Sequence, residues 1–220
     1  MSDRSLLAEV ELFNALSPEA FERVSSQAQQ RSLRRGDVIF REGDQAHELF
    51  VVERGRIAIA SRSIDGRESV FALMEPGDIF GEMALFDAAA GRSAEARALE
   101  TSKVWSVPFH PIREVLDEQP TLLWGVVELL ARRIRTMDAA LADSVFLDVT
   151  GRTAKRLLEL AGDNDEFHLP ITQEELAGLV GASRERVNKA LSSFIRLGWI
   201  EQRDRRYRIT KRQELERRAR

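Results

Sequence analysis

Between Thr121 and Ser144, apolar residues recur at alternating spacings of four and three: Leu123, Val127, Leu130, Ile134, Met137 and Leu141, with Ser144 closing the series. A repeat of this kind commits the chain to one long helix with an apolar seam. Val127, Ile134 and Leu141 fall at a, and Leu123, Leu130, Met137 and Ser144 at d. Branched residues at a favour a parallel two-stranded coiled coil. Arg132, Arg133, Arg135, Asp138 and Asp143 keep the flanks charged, which separates the seam from a helix buried in its own domain. Arg133, at g, lies five residues before Asp138, at e, the offset at which a g residue meets the e residue of a second helix. A homodimer is therefore expected.

The 220 residues are enough for two modest domains, each with its own core. No run approaches the roughly 18 apolar residues that a membrane span needs, so no membrane partner is expected. Glu9 and Asp3 stand where a signal peptide needs an apolar core, and a cytoplasmic location follows as an expectation. There is no cysteine, which removes disulfides, thiolate zinc sites and cysteine-held iron–sulfur clusters. His47, His110 and His168 are scattered, so neither a metal nor a haem is expected. The net charge of −3 is unevenly distributed. Residues 1–146 hold 17 Lys and Arg against 24 Asp and Glu, and residues 147–220 hold 16 against 12. A basic end on an acidic body suggests a polyanion partner.

In chain order, residues 6–30 read as short helices, restarted at Ser17-Pro18-Glu19 by a serine cap and a first-turn proline. From Arg31 to about Pro108, glycines punctuate short apolar runs such as Leu49-Phe50-Val51-Val52, the texture of an all-β sandwich or barrel. Asp65-Gly66 carries a hairpin signal. A short helix is expected near Ile112 to Leu116, after which Pro120 opens the long helix.

Within the β region, Gly81-Glu82-Met83-Ala84 is followed by Arg92-Ser93-Ala94. A glycine lets backbone approach a ligand, an arginine offers a forked charged donor to phosphate oxygens, a serine adds a hydroxyl, and a carboxylate accepts from a sugar hydroxyl. The segment resembles the phosphate-binding cassette of cyclic-nucleotide-binding domains. That resemblance implies that Glu82 holds the ribose 2′-hydroxyl while Arg92 and Ser93 hold the cyclic phosphate. The spacing of ten between glutamate and arginine matches.

Beyond Phe146, helical patterning returns. Residues 153–161 read as an amphipathic helix, and Gly162 to Glu166 as an acidic loop. Thr172-Gln173-Glu174-Glu175 forms a capping box. Gly181-Ala182 turns the chain and Ser183 caps a second helix, with Val187, Ala190, Leu191 and Phe194 inward and Arg184, Glu185, Asn188 and Lys189 outward. This is a helix-turn-helix, whose second helix presents its N-terminal residues to base edges in the major groove. Arginine or lysine suits guanine and glutamate suits cytosine's amino group, while Thr172, Ser183 and Arg186 are placed for phosphates. Residues 199–202 and 206–210 alternate as two strands of a wing, whose Arg203, Arg205, Arg206 and Arg208 suit backbone phosphates.

Cassette, long helix and winged helix-turn-helix, in this order, resemble the cyclic AMP receptor protein/fumarate-nitrate regulator (CRP/FNR) family of bacterial transcription regulators across nearly the whole chain. The resemblance implies an α+β fold. An N-terminal jelly-roll-like β-roll would occupy residues 1–118, a dimerisation helix 119–146 and a winged helix-turn-helix domain 147–220. It also implies a regulator, not an enzyme, that binds duplex DNA at two half-sites about one turn apart. Cyclic AMP is the leading effector. Arg184 would read a guanine and Glu185 the adjoining pairs, and Arg133 would complete the ribose and phosphate site. Two departures stand out. Lys189 replaces an arginine and loses its bidentate fork. Met137 and Asp138 stand where a threonine and a serine contact adenine. Asp138 can accept from adenine's amino group across the dimer, from the N1 and N2 donors of guanine, or from the partner's Arg133, so cyclic GMP, a cyclic dinucleotide or no ligand stay open. The acidic loop reads as a solvated connector or as a contact for RNA polymerase.

Overall fold

The computed structural model describes residues 5–64, 68–87, 89–169, 171–204 and 206–220. Three short helices come first: α1 (Ser5–Glu9), α2 (Glu11–Asn14) and α3 (Pro18–Ser25). Ser17 accepts from the Ala20 amide with Pro18 at the first helical position, as the sequence predicts. There follow β1 (Gln29–Leu33), β2 (Val38–Phe40), β3 (Glu48–Arg54), β4 (Ile57–Arg62), β5 (Glu68–Met74), β6 (Ile79–Phe80), the single turn α4 (Met83–Phe86), β7 (Glu95–Ala98), β8 (Ser102–Pro108) and α5 (Phe109–Glu118). The Asp65-Gly66 turn lies outside the described residues. A 3₁₀ turn at Pro120–Leu122 precedes α6 (Leu123–Phe146), so Pro120 starts that turn and not the helix itself. The C-terminal part holds α7 (Val149–Ala161), β9 (Glu166–His168), α8 (Gln173–Val180), α9 (Arg184–Arg196), β10 (Ile200–Arg203), β11 (Arg206–Ile209) and α10 (Arg212–Arg218). Two compact units result: Met1–Ser61 with Phe71–Ile134, and Arg62–Val70 with Arg135–Arg220.

Strands β1 to β8 form two four-stranded sheets, ordered β1-β8-β3-β6 and β2-β7-β4-β5. Side chains alternate across a strand, so an unbroken apolar run needs cover on both faces. That is the situation of β3. Leu49 and Val51 join Val10, Phe13, Trp105, Val107, Ile112 and Val115 in a core beneath the helices. Phe50 and Val52 point the other way, into a second core with Phe40, Ile57, Phe80, Ala96, Ala98 and Val104. The second core forms the floor of the cassette.

Along α6 the seam faces outward. Val127, Ile134, Met137 and Leu141 are 50%, 59%, 69% and 64% exposed, and among the described residues of the helix only Val126 is buried. No helix among the described residues is long and apolar enough to cross a membrane.

In the second unit, α7 begins at Val149, four residues before the predicted 153, because Asp148 caps it by accepting from the Gly151 amide at 2.8 Å. The acidic stretch runs into a strand instead of staying a loop. Residues Glu166–His168 pair with β11, opposing Phe167 to Tyr207 with their rings stacked at 5.7 Å. The sheet order is β10-β11-β9.

Candidate functional site

The candidate effector site begins where β6 ends. Gly81 sits at φ 74°, a conformation open to glycine, and brings Glu82 in under α4. Arg92 is fixed by its own backbone: its amide donates to the Asp44 carbonyl at 2.9 Å, and its carbonyl accepts from the Gly43 amide at 2.8 Å. Both side chains are buried, Glu82 being 1% and Arg92 5% exposed. Arg92 Nη1 donates to the Gly81 carbonyl at 2.7 Å and Nη2 to the Glu48 carbonyl at 2.8 Å. Burial holds its pKa below the ordinary arginine value, a shift opposed by the nearby carboxylates of Glu48, Asp44 and Glu82. From α6, Arg133 Nη1 reaches Glu82 Oε1 at 2.5 Å, and its Nη2 donates to the Ile79 carbonyl. Arg133 is thus engaged within its own protomer, where heptad spacing alone offers it to Asp138 of a second helix.

Two buried atoms of this cluster have no hydrogen-bond partner: Arg92 Nε and Glu82 Oε2. A buried unpaired donor and acceptor each cost roughly 1–3 kcal/mol, more when charged. A ligand that removes both costs must bring an acceptor to the arginine and a donor to the carboxylate. A cyclic nucleotide carries both, a phosphate oxygen and a ribose 2′-hydroxyl, so the residues present fit that group. The other cassette residues sit around the pair. Ala84 and Ala94 are buried, Met83 and Ser93 are exposed, and Ser93 Oγ lies 3.7 Å from Met83 Sδ. Met137 and Asp138 are exposed on α6. Among the described residues no group of three or more His, Asp or Glu side chains could hold a metal ion.

The second candidate surface is built by α8 and α9. Thr172 Oγ1 accepts from the Glu175 amide at 3.2 Å while Glu175 Oε2 accepts from the Thr172 amide at 2.6 Å, closing the capping box. Gly181, left-handed at φ 66° and ψ 44°, ends α8, and the Ala182 amide closes back on the Ala177 carbonyl at 3.1 Å. Ser183 then caps α9 by accepting from the Arg186 amide. Val187, Ala190, Leu191 and Phe194 are buried, so helical geometry turns Arg184, Glu185, Arg186 and Lys189 outward, and all four are exposed. Asn188 is half-buried, with Oδ1 unpaired. Arg152 secures the turn: it donates from Nε to the Val180 carbonyl at 2.8 Å and from Nη1 to the Leu147 carbonyl at 2.7 Å. On the wing, Arg203 is exposed and Arg208 pairs with Glu166 at 3.4 Å. Arg205 lies outside the described residues.

Three contacts of these sites are not readable from the residues themselves. Phe40 lies under the Arg92 guanidinium at 4.1 Å, the Glu48 carbonyl accepts from it, and Arg133, placed at the site by the family resemblance alone, closes on Glu82 from 51 residues away. None has a local signal, because each contact is made by tertiary packing of residues far apart in the chain.

Residues 30–119 match the cyclic nucleotide-binding domain and residues 151–218 the Crp-like helix-turn-helix domain. The chain is similar to a CRP-like cAMP-activated global transcriptional regulator of Mycobacterium tuberculosis, with 36% identity over 222 residues, 98% of this chain and 99% of the relative. It also resembles the catabolite activator protein of Thermus thermophilus, at TM-score 0.53 and 31% identity, over 95% of this chain and 98% of that one. The c-di-GMP responsive global regulator CLP of Xanthomonas campestris shares the fold, with TM-score 0.76 and 24% identity over 88% of this chain and 99% of its own. A cyclic-nucleotide domain, a long helix and a Crp-like DNA-binding domain, shared along the full length of such a relative, establish that the chain belongs to the CRP/FNR family of cyclic-nucleotide-responsive transcription regulators, which are DNA-binding proteins and not enzymes.

Proposed function

We propose that the protein is a homodimeric regulator whose effector is cyclic AMP, built as an effector domain over 1–118, a dimerisation helix over 119–146 and a DNA-binding domain over 147–220. The observation that carries the effector reading is the pair of unpartnered buried atoms, Arg92 Nε and Glu82 Oε2. Arg92 and Ser93 take the cyclic phosphate, Glu82 takes the ribose 2′-hydroxyl, and Arg133 orients Glu82 through their ion pair. Gly81, Met83, Ala84 and Ala94 shape the backbone around the phosphate. Met137 faces the base, and the partner subunit's Asp138 reaches across the dimer to accept from the adenine amino group. The activation of the mycobacterial relative by cAMP supports adenine over guanine.

The exposed seam of α6 supports dimerisation, since a helix with that face in water gains by covering it with a second copy. On DNA, Arg184, Glu185 and Lys189 read base edges, helped by Asn188. Thr172, Ser183, Arg186, Arg203 and Arg205 hold phosphates of two half-sites about one turn, roughly 34 Å, apart. The effector acts only by favouring one arrangement of the dimer over another. RNA polymerase is the proposed further partner and the cytoplasm the proposed location.

Calorimetric titration with cyclic AMP, cyclic GMP and cyclic di-GMP in parallel tests the effector. Saturation by cyclic AMP near one per subunit, with weaker heats from the other two, is expected. Tighter binding of either guanine nucleotide would move Asp138 to the guanine N1 and N2 donors and overturn the adenine assignment.

A further inference from the structure

The Arg92 guanidinium donates to two backbone carbonyls, and its central carbon lies over an aromatic ring. That carbon is 4.1 Å from the centroid of Phe40 and 5.5 Å from that of Phe50. The Phe40 ring is in turn braced, 5.7 Å from Phe50 and 6.1 Å from Phe80, and those two rings stack at 5.2 Å. Gly81 completes the arrangement. A Cβ there would lie 2.5 Å from Arg92 Nη1 and 3.3 Å from Phe40 Cε1, so backbone, guanidinium and ring approach one another closely because the residue between them has no side chain. Carbonyl bonds to Nη1 and Nη2 locate those two atoms, yet they still allow the plane to tilt. A ring under the guanidinium opposes that movement, because the ring's negative quadrupole attracts the cation and its position in a packed core is fixed.

We propose that Phe40 is a positioning residue for effector binding, whose ring, lying under the Arg92 guanidinium, holds that group in the orientation from which it meets a phosphate oxygen. The inference rests on the reading of Arg92 as the phosphate ligand and adds a residue to it, 52 positions earlier in the chain. A preorganised donor binds an anion more tightly than one that must be ordered on binding. A desolvated cation–ring contact corresponds to about a three- to thirtyfold change in affinity.

The test compares the full-length protein with Phe40→Met, which fills much of the volume without a ring, and Phe40→Tyr, which keeps the ring. Cyclic AMP affinity is measured by calorimetry and Tm by thermal unfolding. Should Phe40→Met lose the fold, Phe40→Ile, a strand former, takes its place. The expected result is about a tenfold loss of affinity without the ring, near wild-type affinity in Phe40→Tyr, and similar Tm for the two. Equal affinity with and without the ring overturns the platform, and so does equal weakening in both variants, which marks Phe40 as core packing only. A wild-type protein that takes up no cyclic nucleotide overturns the effector assignment itself, and the role of Phe40 falls with it.

Discussion

Gly81→Ala should damage both the fold and the effector site, by an amount that can be worked from its surroundings. An alanine at φ 74° costs about 1–2 kcal/mol in backbone strain alone. Its methyl also lands 2.5 Å from Arg92 Nη1, which cannot stay there. The guanidinium has little freedom to yield, being bonded to the Gly81 and Glu48 carbonyls and packed on Phe40. If it moves, the 2.7 Å bond to the Gly81 carbonyl is lost, and a hydrogen bond to a charged group is worth about 1.5–3 kcal/mol. Relaxation recovers part of the sum, so a loss of about 3 kcal/mol is expected. For a chain of this size that corresponds to a fall in Tm of about 6–12 °C, read by circular dichroism. On the proposed phosphate role of Arg92, cyclic AMP affinity should also fall at least about tenfold, because the guanidinium is displaced. A variant within 2 °C of wild type that binds the nucleotide normally would show that Arg92 adapts freely, and would refute the packed geometry from which the argument starts (a margin of about 2 °C being less than the shift of roughly 1 kcal/mol).

Other perturbations follow from single contacts. Arg152→Ala leaves the carbonyls of Leu147 and Val180 without their donor and should destabilise the DNA-binding domain by about 2–3 kcal/mol, measured by urea unfolding; a change below about 0.5 kcal/mol would remove Arg152 as the fastener of the turn. Ile134→Glu puts a charge at the middle of the exposed seam and should shift the protein from dimer to monomer in light scattering, whereas an unchanged mass would place the interface elsewhere. Asp148 has its pKa lowered by the Gly151 amide first and by Arg218 as well. Because its folded pKa lies below its unfolded value, its contribution is complete above about pH 4 and is lost as pH falls through the folded pKa. Asp148→Asn keeps a capping oxygen but not the charge, so it should flatten the acid limb of the stability profile; an acid limb identical to wild type would contradict the linkage.

How much of this was readable in advance depends on where the physics resides. The seam of α6 and the burial pattern of α9 are repeats along one helix, and local periodicity carries them completely. Glu82 and Arg92 are close together in sequence, so the resemblance to a cyclic-nucleotide domain could be drawn from one short segment, and residues 30–119 do match that domain. By contrast, β9 is three residues long and follows an acidic stretch, and it exists because Phe167 finds Tyr207 some 40 positions later. The α10 helix escapes for a similar reason: Leu215 is its only buried residue among those described, too little to set a period. Arg133 shows what a local pattern leaves out: its heptad position offers it to a second helix, and only the family resemblance places it at the ribose and phosphate site, where it pairs with the buried Glu82 carboxylate.

In the proposed function the nucleotide site and the DNA surface are coupled. Selection of duplexes from a random pool by the purified protein, with and without saturating cyclic AMP, tests this coupling directly. Enrichment of a two-fold symmetric motif, with half-site centres about one helical turn apart, that depends on the nucleotide is expected. Enrichment of the same motif to the same extent without nucleotide would contradict the coupling.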